Sequence, residues 1–124
     1  FLQQYGYNYN GLIDPDNDPT TNDYTAKSLS SRSQWVTSSE PGVPGNTDYP
    51  NYRNRTGFEA FAYGARSYYT GGTFVGIKSY ANYWSKTAHN ADNSYRLQLM
   101  YNNPSSGVLT ISKNMGFNVR CVKN

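Results

Sequence analysis

The sequence predicts an α+β domain in which short antiparallel strands, one or two helices and long irregular loops share a single core. Three observations carry this expectation. From Gly57 onward, apolar and polar residues alternate in short runs between turn residues, the two-residue period of half-buried strands. Before it, only residues 24–35 have helical spacing. Between the two, residues 37–54 hold Pro41, Pro44 and Pro50 with Gly42 and Gly45, breakers enough to exclude both regular forms.

Taken in order, residues 1–9 read as the tail of a helix or an extended lead-in, interrupted by Gly6. Residues 11–23 are turn chemistry throughout, with Asp14, Asp16 and Asp18 alternating around Pro15. In the helix candidate, Ala26, Leu29 and Trp35 share a face, but Ser28, Ser30, Ser31 and Ser33 weaken the propensity, so the helix is expected to be short. The connection over 37–54 is long for a compact domain and marks an expected binding surface. Strands are expected around residues 58–62, 73–78, 82–87, 95–101 and 108–112, with a hairpin turn at 102–107 built on Pro104 and Gly107. Phe117, Val119 and Cys121 alternate with Asn118, Arg120 and Val122, which predicts a terminal strand held centrally in a sheet. Trp84, Phe58 and Phe117 each stand among glycines and small residues and are expected in one core.

At 124 residues the chain is long enough for one domain, 1–124, and short for two. Aliphatic residues are sparse, and thirteen tyrosines with abundant Asn, Ser, Thr and Gly replace them. Aromatic content this high excludes disorder. Tyrosine covers apolar area while keeping its hydroxyl wet, so the composition serves strands and adaptable contact surfaces alike. The net charge of +3 comes from scattered basic residues, Arg53 and Arg55 being the nearest to a cluster, and no nucleic-acid partner is expected. No apolar run approaches the roughly 20 residues of a membrane-spanning helix. The chain opens on Phe1 with no signal peptide, and is read as beginning inside a longer or processed product.

Cys121, the single cysteine, is expected as a buried sulfur on the inner face of the terminal strand. The only histidine, His89, lies in a polar loop, which argues against thiol catalysis. Glu59 and Asp92 are the only acids after Gly57, a poor basis for two-carboxylate hydrolysis. Alternating Asp14, Asp16 and Asp18 offer oxygen ligands, but Pro15 and Pro19 stiffen the run and no EF-hand glycine or glutamate completes it. Neither metal nor cofactor is expected, nor an enzymatic activity.

Several blocks together resemble the Fibrobacter succinogenes major paralogous domain, found in secreted and surface proteins of Bacteroidetes and their relatives. They are Ala26-Lys27-Ser28-Leu29 followed by Trp35, Pro44-Gly45-Asn46, Asn54-Arg55-Thr56-Gly57-Phe58-Glu59-Ala60-Phe61 and Gly64-Ala65-Arg66. Gly72-Thr73-Phe74, Gly76, Ala81-Asn82-Tyr83-Trp84-Ser85 and Gly116-Phe117-Asn118-Val119-Arg120-Cys121-Val122-Lys123 complete the likeness. Lys86, Ala88 and the Ala62-Tyr63 pair depart from the family pattern. The resemblance implies a C-type-lectin-like fold and a C-terminal portion of the domain, with the partner of Cys121 in an upstream segment. It does not imply sugar binding, since the signatures of calcium-dependent lectins have no match here.

The expected function is therefore a non-catalytic secreted or cell-surface binding or adhesion module. Its ligand is expected to be a protein or glycan surface, other partners being further subunits or the upstream part of the same protein. Tyr68, Tyr69, Tyr80, Tyr95 and Tyr101 are the candidate ligand-binding residues, while Tyr83, beside Trp84, is assigned to packing. The alternative is a structural module of a surface or phage-fibre assembly.

Overall fold

In the computed structural model, which describes residues 2–13 and 24–121, five short strands carry the architecture and helix contributes little. The fold is small and β-rich. Strands β3 (Tyr80–Ala88), β4 (Asn93–Met100) and β5 (Gly107–Ser112) form an antiparallel meander in the order β3-β4-β5. Its register sets Ala81 opposite Leu99 and Tyr83 opposite Leu97. Alternation places these four on one face, where Ala81, Tyr83 and Leu99 are buried and Leu97 packs against them. The turn between β3 and β4 is an Asx turn, the Asn90 side-chain oxygen accepting the N–H groups of Asp92 at 3.0 Å and Asn93 at 2.8 Å.

A smaller antiparallel pair, β1 (Ala65–Ser67) and β2 (Thr73–Val75), joins the meander through a bridge between Gly64 and Ala81. Gly64 must be glycine: its φ is +72°, and a Cβ there would lie 2.1 Å from the Val75 carbonyl oxygen. Helix α1 is the single turn Ala26–Leu29. It ends where its serines turn to the backbone, Ser28 Oγ donating to Thr25 O and Ser30 Oγ to Lys27 O. Ser30 then leaves in extended conformation to bridge Ala60. Ala26, Leu29 and Ala60 meet Ala81, Tyr83 and Leu99 in the core, with Leu2, Trp35, Phe58 and Leu97 packed around them.

Two expectations are corrected. The terminal segment is not a regular strand and Cys121 is not buried. Residues 116–118 slot between β1 and β3 where these diverge, Gly116 bridging Arg66 and Asn118 bridging Tyr83. Asn118 is the residue engaged with β3, its backbone N–H and side-chain amide both donating to Asn82 O at 3.1 Å. Beyond it the chain turns to solvent, with Val119 75% exposed and Cys121 exposed. The thiol should therefore react with iodoacetamide in the native state at nearly the rate seen in denaturant; protection of a hundredfold would contradict this placement.

The second correction concerns the three aromatics. Phe58 meets Tyr83 edge-on at 5.2 Å on the core face, whereas Trp84, the next residue of β3, faces the other way and is half-buried against Phe117 at 4.6 Å. Strand alternation divides them between two faces, so they do not share one core. Tyr83 is packing, as assigned: it is 6% exposed and its hydroxyl accepts the Phe61 N–H at 3.0 Å.

Candidate functional site

The irregular residues 36–54 are held from beneath by two buried cations. Lys27 points inward from α1 and is wholly buried, its ammonium donating to Asn46 O at 2.9 Å, Asp48 O at 2.6 Å and the Asp48 carboxylate. Arg53, also buried, donates to Ser31 O at 3.0 Å, to Pro44 O at 2.7 Å and to Asn46 O. An irregular loop cannot pair its carbonyls with one another as a strand does, so these side chains supply the missing donors. The second oxygen of Asp48 accepts the Gly42 N–H at 2.8 Å, which closes the network. Burial holds both cations below their ordinary values, and Asp48 opposes that shift in each case.

Three backbone bonds fix the outer edge of the loop: Val36 N–H to Lys78 O at 2.8 Å, Ser38 N–H to Gly45 O at 3.0 Å and Gly45 N–H to Tyr101 O at 2.8 Å. The result is an open cleft of ≈ 530 Å³. Residues 32–35 form one wall and residues 44–47 the other, with Thr37, Ser38, Ser39, Pro50 and Arg53 completing it. The indole of Trp35 is half-buried, packed against the core on one side and anchored by its N–H to Ser31 Oγ at 3.2 Å. Gln34 sits beside it with φ of +70°, a left-handed conformation unusual for this residue. The cleft therefore offers hydroxyls, amides, one indole and two guanidinium groups, which are hydrogen-bonding and stacking chemistry.

The candidate tyrosines do not converge. Tyr68 and Tyr69 lie in the 3₁₀ turn Tyr68–Thr70 between β1 and β2, their rings 4.0 Å apart and 40% and 68% exposed. Tyr80 and Tyr101 flank the opposite end of the β3–β4 hairpin from Tyr95. Tyr101 stands six positions after Tyr95, just past the end of β4, which sets the two about 20 Å apart. Tyr95 is occupied with His89, whose Nδ1 lies 3.0 Å from its hydroxyl. The ring of Tyr80 covers Gly76, where an added Cβ would fall 2.1 Å from it. Tyr101 serves the cleft through its carbonyl.

The sequence marks the loop over 37–54, but helical spacing over 24–35 assigns Arg32, Gln34 and Trp35 to the end of a helix, whereas the structure ends that helix at Leu29 and sets them in the cleft. The serine run at 28–33 was the available signal that the helix would stop before them. The acidic run Asp14, Asp16 and Asp18 lies outside the described residues. Among the described residues no group of three metal-ligating side chains comes together, and no helix is long and apolar enough to cross a membrane.

No curated protein and no solved structure matches the chain. The family model of the Fibrobacter succinogenes major domain matches residues 8–123, a span that takes in α1, the braced loop, the cleft and all five strands. The chain belongs to the Fibrobacter succinogenes major domain family.

Proposed function

We propose that this domain is a non-catalytic binding module of the secreted or cell-surface kind, with a C-type-lectin-like arrangement of short strands and long loops, and that its ligand enters the cleft at Trp35. The observation that carries the reading is the bracing. Two buried cations and a carboxylate hold in place a loop that lends the cleft the polar side chains of Thr37, Ser38, Ser39, Asn46 and Thr47. A loop ordered in advance loses less entropy when a ligand arrives, which favours affinity. The exposed, adjacent rings of Tyr68 and Tyr69 support a second contact surface in this reading.

Filling the cleft tests this. Thr47 is exposed on its wall, so Thr47→Trp should leave the thermal midpoint within a few degrees while abolishing binding to any glycan or extracellular protein that the wild-type domain retains from an immobilised panel. Retention of the same ligand with unchanged affinity would remove the cleft from consideration. A Trp84→Phe background leaves Trp35 as the only indole, whose fluorescence then reports occupancy directly.

A structural role in a surface or phage-fibre assembly is favoured by one observation. Among the described strands β5 pairs with β4 alone, and Val108 and Leu109 on it are 70% and 44% exposed. Sedimentation of the domain as a stable oligomer through that edge would support this reading over the first.

A further inference from the structure

We infer that the cleft takes an acidic saccharide, its anionic group set against Arg32 and its ring against the Trp35 indole; this rests on the cleft being the ligand site. The charge balance around the cleft is the first argument. Among the described residues, Arg32 and Arg53 line the cleft with no acid in the lining, and the nearby Asp48 has its two oxygens committed to Lys27 and to Gly42 N–H. Glu40, the other acid of the loop, is not part of the lining. Among the described residues the Arg53 guanidinium donates to carbonyl oxygens, which orient it without cancelling its charge. Arg32 is exposed at the rim, and its guanidinium has neither a hydrogen-bond nor an ion-pair partner among the described residues. Burial is the main cause of the lowered Arg53 pKa, with Asp48 opposing it and the nearby charge of Arg32 adding to it. An anion placed at Arg32 relieves that repulsion and gains a charge-assisted hydrogen bond.

The neutral part of the lining points to a saccharide. Sugars present a C–H face and a rim of hydroxyls, and so need a flat apolar platform bordered by small polar groups. Trp35 is such a platform, held rigid by the core behind it and by Ser31 at its N–H. The hydroxyls of Ser39 and Thr47 have no partner among the described residues and remain available. Gln34, in its left-handed conformation, is exposed at the same rim; strain of this kind is retained where surrounding structure enforces it, commonly at ligand sites. An extended peptide would instead call for an open strand edge or a row of apolar pockets, and the cleft supplies neither.

Titration of Trp35 fluorescence in the Trp84→Phe domain separates the possibilities, with oligogalacturonate, its methyl ester, heparin oligosaccharides and poly-glutamate as probes. The acid should bind about tenfold more tightly than the ester, the worth of one charge-assisted hydrogen bond. Arg32→Gln should erase that preference, as should raised salt. Binding of heparin oligosaccharides with the same Arg32 dependence would also support the inference and identify sulfate as the preferred anion. Equal affinity for acid and ester would overturn the acidic class while leaving the cleft a binding site. Binding of poly-glutamate alone would overturn the saccharide. Failure of all four probes would overturn the inference, and the Thr47→Trp panel would then decide separately whether the domain binds through this cleft at all.

Discussion

Replacing Lys27 by methionine is expected to lower the unfolding free energy by about 3 kcal/mol, the low end of the range for a broken buried ion pair. The low end applies because the Asp48 side chain keeps 26% exposure and its bond from Gly42 N–H, so water can partly replace the ammonium. Methionine fills much the same volume, which isolates the lost donors from any cavity. Urea denaturation measures the loss, and a change below about 1 kcal/mol would mean that the ammonium is not the brace described here. A pH dependence follows from the same group. Burial lowers the Lys27 pKa from 10.5, against the pull of Asp48. Between the folded value and 10.5, the unfolded chain binds more protons than the folded one, so this lysine's contribution to stability rises with pH across that window and is constant below it. The difference between wild type and Lys27→Met should therefore widen on approaching pH 10.5.

Gly45→Ala is the second large effect. A Cβ at this position would lie 2.3 Å from Val36 O and 2.7 Å from Tyr101 O, distances that no side-chain rearrangement can relieve because both atoms are backbone. The loop must move outward, which breaks the bonds from Ser38 N–H to Gly45 O and from Gly45 N–H to Tyr101 O. Overpacking of this kind costs about 1–3 kcal/mol, and here it also opens the cleft wall. Thermal melting should report the loss of stability, and any ligand retained by the wild-type domain should bind Gly45→Ala more weakly in proportion to the displaced wall. A variant of wild-type stability and binding would show that the close approach of these three segments is absent in solution.

The meander was legible because its signals are local. Tyr95-Arg96-Leu97-Gln98-Leu99 alternates, the alternation matches the pleat, and turn residues stand at both ends. The terminal segment alternates as clearly, yet periodicity does not say which phase faces inward. There the backbone of residues 116–118 and the Asn118 side chain make the contacts to β1 and β3, and Phe117 is covered by Trp84 and by the Arg96 guanidinium 5.2 Å from its ring. The bracing cations were not legible at all. No pattern rule buries Lys27, whose acceptors lie about twenty residues away at Asn46 and Asp48. Arg53 and Arg55 looked like a surface cluster, but they do separate work. Arg53 is buried beneath the cleft, and Arg55 donates to Gly6 O at 2.9 Å while lying 5.4 Å from the rings of Tyr7 and Tyr52. Composition marks tyrosine as the contact residue; the topology sets Tyr68 and Tyr69 in the turn between β1 and β2 and Tyr80, Tyr95 and Tyr101 at the two ends of the β3–β4 hairpin, while the cleft brings residues 32–35 against residues 44–47.

Native-state hydrogen exchange tests most directly the claim that the cleft is built in advance of its ligand. The amides of Ser38, Gly42 and Gly45 donate to Gly45 O, the Asp48 carboxylate and Tyr101 O. In the ligand-free domain all three should exchange as slowly as the β3–β4 hairpin, opening only when the domain does. Exchange at the rate of an unstructured peptide, with the hairpin still protected, would contradict the account and leave the loop to be ordered by whatever it binds.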